Sequence, residues 1–395
     1  MRTCRHVLTV AAVTAAALLI VRTGVVPLRA SAAGRAQEAP PAAAAAPVPA
    51  VTVLTPPAFP GQDAIWGSTG VDHAGHVWFG ITSGDYRSGS AHLYEFDPGT
   101  GRFSDRGDVV SELERLGLRR PGERQMKVHS RIVEAQDRYQ YFASMDESGE
   151  AEDGSTLPAW GGHLWRRKAG VAGGWEHLAA TPEALIAVAV GGPYVYVEGY
   201  FNHVLYQFDT RTKKIRSVTV GSAGGHVSRN IFADDRGHAF VPRVTQDGAK
   251  LSAFLVEYDG RLTELAAVPL AEYFEKGRDN SHGIVATHPG EDGTWYFATG
   301  KGRLYQMVPG VTGAATVNDL GWFSPKGPQY VASMFRDEKT GWLYGVAMPS
   351  NYGGRDFDWV TRPPTGRGAV APLPYGVEPR FPAAALVYGS MSRDR

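Results

Sequence analysis

The chain is almost without cysteine. Cys4 is the one thiol in 395 residues, so an internal disulfide and a cysteine-ligated metal centre are both excluded. It also lacks a charge excess, with 40 Lys+Arg against 40 Asp+Glu. A strongly basic nucleic-acid-binding surface is therefore excluded. No apolar run after residue 21 approaches the roughly 20 residues that span a bilayer. There is no G-x-S-x-G and no phosphate-binding loop, so those hydrolase and nucleotide chemistries lack their signatures. No pair of carboxylates stands out for glycoside hydrolysis.

What the chain does have is glycine, 48 residues, together with 43% hydrophobic and 11% aromatic residues. That mixture excludes bulk disorder and favours many short strands joined by tight turns. Residues 1–6 are basic and residues 7–21 (VLTVAAVTAAALLIV) are apolar. Small residues follow at Ala30, Ser31 and Ala32. This is the pattern of a secretory signal peptide over residues 1–32, with an uncleaved anchor as the alternative. Residues 33–50 read as an Ala/Pro linker, and residues 51–395 as one folded domain. A secreted or periplasmic monomer is expected, with no membrane association after cleavage. Removing 1–32 takes away Arg2, Arg5, Arg22 and Arg29, leaving four more acids than bases.

One pattern recurs through that domain: an apolar run, an Asp- or Gly-bearing turn, then an aromatic strand. It begins at Ala64, Val128, Ala184, His226, Ser281 and Gln329, and half a unit follows at Ala385. The spacing of 42 to 64 residues belongs to the period class of propellers and solenoids. Third strands such as HLYEFD from His92, VLYQFD from Val204 and FLVEYD from Phe254 complete four strands per unit. The expected fold is all-β, a propeller of six to seven four-stranded blades. Seven are favoured, the last incomplete or closed by the N-terminal strand. VVSELERLG from Val109 and LAEYFEKG from Leu270 read as short helices between blades.

In a propeller the first strand of each blade lines the axis, so residues entering it converge. Three histidines occupy that phase: His129 in KVHSR, His226 in GHVSR and His282 in NSHGI. Lys127, Arg131, Arg229, Trp66 and Tyr330 lie near it. Loops after the second strand add Tyr86, Arg87, Tyr200, His203, Arg243 and Lys301. The 146–163 insertion, ending at His163, is a candidate lid. His92 shares the phase of His163 and suits backbone contacts. His73, His76, His238 and His288 fall on turns and are expected in solvent. Three imidazoles with an open position suit zinc or manganese, and calcium less well; magnesium is a further option. Arginine beside them would hold a carboxylate. Together, His, Tyr and Arg suit β-elimination from a uronic acid.

The segments KVHSRIVEAQDRYQYFAS, GGHLWR and GHVSRNIFADDRGHAFVPR resemble secreted bacterial propellers of the seven-bladed ulvan and oligogalacturonate lyase class. The resemblance implies His129 and Tyr200 as base and acid, with Arg229 or Arg243 gripping the uronate of an anionic polysaccharide or oligosaccharide. The class also implies a second histidine at the end of a second strand. Here that place reads Ser144-Met145-Asp146, so either His163 substitutes from the insertion or the lyase chemistry is absent. HGIVATHPGEDGTWYFATG and HAGHVWFGIT are similar to the repeats of virginiamycin B (streptogramin) lyases, which implies metal-dependent C–O lyase chemistry. A non-catalytic propeller binding a glycan or a protein is the third reading.

Overall fold

The computed structural model describes residues 50–84, 89–151, 153–169, 174–273, 282–349, 357–363, 369–371 and 386–390. Of the signal peptide and linker assigned to 1–50, all but residue 50 lie outside them, as do Tyr86 and Arg87. Six antiparallel sheets follow one another along the chain, five of four strands and one of five because its innermost strand is split, and each is one blade of a propeller.

Blade 1 comprises Thr69–Val71, Val77–Ile81, His92–Asp97 and Arg102–Asp108. Blade 2 has an innermost strand split into Lys127–Val128 and Val133–Glu134, then Tyr139–Asp146, Gly161–Lys168 and Glu176–Thr181. Blade 3 runs Leu185–Gly191, Tyr194–Gly199, Val204–Asp209 and Ile215–Thr219. Blade 4 runs Phe232–Ala233, Ala239–Asp247, Lys250–Tyr258 and Glu264–Leu270. Blade 5 runs Ile284–Pro289, Trp295–Thr299, Arg303–Val308 and Thr316–Trp322. Blade 6 runs Tyr330–Arg336, Leu343–Met348, Asp358–Arg362 and Ala369–Ala371. These strands carry the alternating aromatic and β-branched residues that suit a pleated, two-sided surface.

The core lies between blades, because each sheet buries both faces. Trp78, Phe142, Trp165 and Trp175 fill the seam of blades 1 and 2. Ile186, Tyr196, Val241 and Tyr258 fill that of blades 3 and 4. Phe232, Phe240 and Phe297 fill that of blades 4 and 5.

The sequence favours seven blades, and the structure has six. The strand Leu386–Ser390 lies in a separate two-stranded sheet that joins none of the six blades. It pairs antiparallel with Ala50–Leu54, Ala50 facing Ser390 and Leu54 facing Leu386. Leu54 in turn packs on Phe79 and Ile81 of blade 1. Joining the two ends of the domain pairs edges that would otherwise stay open. Val109–Arg115 is the expected helix, capped by the Asp108 side chain accepting from Ser111 N. The second expected helix does not start where its pattern begins, since Leu270 ends a strand. Residues 274–280 of that pattern lie outside the described residues.

Candidate functional site

The innermost strands deliver a cavity of about 220 Å³ on the axis, lined among others by Trp66, His129, Arg229, Asn230, Tyr330 and Met348. Five blades contribute. Two of the segments share a motif: Ser130-Arg131 in blade 2 and Ser228-Arg229 entering blade 4. In both, the serine hydroxyl pins irregular backbone next to the axis. Ser130 Oγ accepts from Ala143 N at 2.8 Å. Ser228 Oγ accepts from Ile284 N at 3.1 Å and donates to Asn230 O at 2.8 Å.

Arg229 reaches across the axis. Its guanidinium carbon lies 5.7 Å from the Trp66 ring and 5.9 Å from the Tyr330 ring, within the range of cation–π attraction. Its Nε is buried without a hydrogen-bond partner among the described residues. His129 lies parallel to Trp66, rings 6.4 Å apart, and its buried Nδ1 also makes no hydrogen bond. Burial holds the His129 pKa well below 6.5, and Arg229, Lys127 and His282 reinforce the shift. The imidazole is therefore neutral at pH 7. His282 meets Tyr330 edge-on at 6.2 Å; burial and then Arg229 push its pKa to about 2. Lys127 Nζ lies 5.6 Å from the Trp66 ring and pairs with Glu147. Arg131 lies two residues after His129, between the two halves of the split strand. It donates to Thr287 Oγ1 at 2.7 Å, tying blade 2 to blade 5 on the opposite side of the ring.

The third histidine of the expected set is elsewhere. His226 Nδ1 meets Ser222 Oγ at 2.8 Å and its Nε2 meets the Tyr273 hydroxyl at 2.9 Å. Aligning the two Ser-Arg pairs explains this. His129 immediately precedes its serine, whereas His226 is two residues before Ser228. Side chains alternate along extended chain, so a one-residue offset turns His226 away from the cavity. The ligand atoms of His129, His226 and His282 do not come within 4.8 Å of one another among the described residues. The three do not form a metal cage.

Other expected site residues are also placed apart. Tyr200 packs edge-on against Phe201, rings 4.3 Å apart, beside the seam of blades 3 and 4. Arg243 is committed to Glu264 through contacts of 2.8 and 3.0 Å within blade 4. His163 is buried between Glu123 at 3.0 Å and His177 at 2.9 Å, a structural link in blade 2. The 146–163 insertion lies along blades 2 and 3. Glu147 holds Lys127, and Asn202 Nδ2 donates to Gly154 O at 3.3 Å. Two turn histidines expected in solvent instead meet buried carboxylates, His76 at Glu95 and His238 at Glu257.

One group escaped sequence reasoning. Glu198 is fully buried, its two oxygens make no hydrogen bond among the described residues, and His203 Nδ1 lies 3.2 Å away. Burial raises the Glu198 pKa well above 4.5 and pushes His203 down to about 4. The available signal was a lone glutamate in the strand YVYVEG.

No family model matches this chain, and no curated protein matches it either. Its solved structural neighbours are remote. The BT4673 extracellular domain from B. thetaiotaomicron is 12% identical with a TM-score of 0.43; the match covers 79% of this chain and 35% of that one. The chain thus spans about a third of the length of that extracellular domain. The RRP9 WD40 repeats are 11% identical over 80% of this chain and 81% of theirs, TM-score 0.48. YCF48 from Cyanidioschyzon merolae is 12% identical over 82% and 89%, TM-score 0.47. Likeness at this level carries no functional argument, and the propeller assignment rests on the strand pairing itself. No helix among the described residues is long and apolar enough to cross a membrane.

Proposed function

We propose that the axial cavity binds a carboxylate-bearing sugar, a uronate residue of an exported anionic polysaccharide or oligosaccharide, and that the protein is a lyase acting on it. The observation that carries this reading is Arg229, held between Trp66 and Tyr330 beside a neutral, unbonded His129 nitrogen. An arginine in that setting supplies charge-assisted hydrogen bonds to a carboxylate. Flanking aromatic rings supply flat apolar surface for a sugar face. At about 220 Å³ the cavity is below the roughly 300–1,000 Å³ of drug-sized ligand sites, which suits a single sugar residue.

In the elimination, Arg229 neutralises the carboxylate and so acidifies the adjacent C5 proton. His129 removes that proton, the C4=C5 double bond forms, and the C4–O bond breaks. The departing oxygen takes a proton from Tyr330, the phenol lining the same cavity. No metal is assigned a role in this step. Turnover is read from the absorbance of unsaturated uronate across a panel of uronic-acid polysaccharides. His129→Ala is expected to lower it by about 10²–10⁴-fold. Arg229→Ala is expected to weaken binding by about ten- to a hundredfold, the worth of one charged hydrogen bond. Absence of product and of binding across the panel refutes the proposal. Binding without product selects the second reading, a glycan-binding propeller, which the separation of Tyr200 and His163 from the cavity favours.

A further inference from the structure

Blades 1 and 4 carry the same small device, and comparing the copies points to a cation site. The sequences are Asp72-His73-Ala74-Gly75-His76 and Asp234-Asp235-Arg236-Gly237-His238. Each is followed by a third strand with one glutamate, LYEFD in blade 1 and LVEYD in blade 4. The turns are built alike. Asp72 Oδ1 accepts from Ala74 N at 2.9 Å and His76 N at 3.0 Å. Asp234 Oδ1 accepts from Arg236 N and His238 N, both at 3.0 Å. The glutamates are in matching register, Glu95 opposite Trp78 and Glu257 opposite Phe240.

The copies differ in what joins the two carboxylates. In blade 4 it is a cation of the protein's own: Arg236 Nη2 lies 2.6 Å from Asp234 and 3.1 Å from Glu257. In blade 1 the corresponding residue is Ala74, which carries no charge. Trp78 Nε1 donates to Asp72 Oδ2 at 2.9 Å but brings no charge, and Arg106 holds only Glu95 Oε2. Both carboxylates are nevertheless buried, Asp72 fully and Glu95 to within 5%. His76 differs from its counterpart as well. His238 Nδ1 is hydrogen-bonded to Glu257 at 2.7 Å. His76 Nδ1 lies 2.6 Å from Glu95 Oε1 and 3.7 Å from Asp72 Oδ2, yet is buried and makes no hydrogen bond to either.

We propose that Asp72, His76 and Glu95 bind a divalent transition metal, zinc or manganese, in the position that the Arg236 guanidinium takes in blade 4. The three ligand atoms lie within 4.8 Å of one another. The separations of 2.6 and 3.7 Å bracket the edge of about 3.3 Å that a tetrahedron with bonds of about 2.0 Å requires. One imidazole with two carboxylates suits these ions better than calcium, which takes oxygen ligands throughout. Trp78 and Arg106 orient the two carboxylates from behind, as outer-shell donors do around metal sites. The site is outside the axial cavity, so it stands or falls independently of the lyase reading.

The test uses whole protein stripped with a chelator and titrated calorimetrically with zinc or manganese chloride. The wild type is expected to bind one equivalent with a rise in Tm. His76→Ala should weaken binding by about tenfold or more. Ala74→Arg restores the blade 4 arrangement; it should abolish that equivalent while leaving Tm without metal equal or higher. The Ala74→Arg protein keeps every other histidine, so adventitious binding elsewhere persists in it. A wild type that takes up neither ion, or an Ala74→Arg protein that binds as the wild type does, overturns the proposal.

Discussion

Glu198→Gln isolates the energetics of the buried carboxyl in blade 3. Glu198 is fully enclosed and its oxygens receive no hydrogen bond among the described residues. In the unfolded chain it ionises near 4.5, whereas burial keeps it protonated far above that in the folded chain. The folded state therefore holds one more proton than the unfolded state once the pH exceeds 4.5. Stability then falls as pH rises, by about 1.4 kcal/mol per pH unit. The neighbouring His203 works the other way, because burial depresses its pKa to about 4. Its unfolded form gains a proton below 6.5, and stability is lost as pH falls. Comparing wild type with Glu198→Gln at each pH cancels the histidine and leaves the carboxyl. The assay is urea unfolding followed by tryptophan fluorescence at pH 5, 6, 7 and 8. An amide at position 198 adds a cost that does not change with pH, so the slope is the quantity to read. The variant is expected to gain on the wild type steadily towards neutral pH. A difference constant with pH, or one that shrinks upward, would show that Glu198 is ionised in the fold, and the argument would fail.

Two further outcomes are expected. A Cβ on Gly283 would stand inside contact distance of the Tyr273 hydroxyl and His226 Nε2, so Gly283→Ala should cost about 1–3 kcal/mol and lower Tm; an unchanged Tm would mean that this seam has slack. Burial works to raise the Glu123 pKa, but hydrogen bonds from His163 and Arg120 outweigh it and draw it to about 2. Its stabilisation is present above pH 4.5 and lost as pH falls from 4.5 towards 2. Glu123→Gln should therefore flatten the acid limb of the Tm profile, and an unaltered acid limb would contradict the link from His163.

The blades were legible because three of them repeat an aromatic third strand with an Asp-led turn, His92–Asp97, Val204–Asp209 and Lys250–Tyr258. The pairing of the last strand with the first was legible as one of two alternatives. The site was legible only in part. Trp66, His129, Arg229 and Tyr330 do meet, since the first strands converge on the axis. His226 was misplaced because repeats aligned on histidine rather than on Ser-Arg conceal an offset of one residue, and in extended chain one residue is the difference between two faces. Tyr200 and Arg243 had the right loop but local partners, Phe201 and Glu264. Pairings of that kind depend on neighbouring strands and leave no trace in spacing.

The pairing of Ala50–Leu54 with Leu386–Ser390 has a mechanical consequence. Because Ala50 faces Ser390, the chain leading into the first strand and the chain leaving the last depart from the same end of the pair. Tension between those two segments loads the pair as a zipper: its hydrogen bonds are peeled in succession instead of being sheared together. Under pulling, this pair is expected to open first, ahead of the six blades. A force-extension trace would then begin with a low peak of short contour gain, ahead of the higher peaks from unravelling blades.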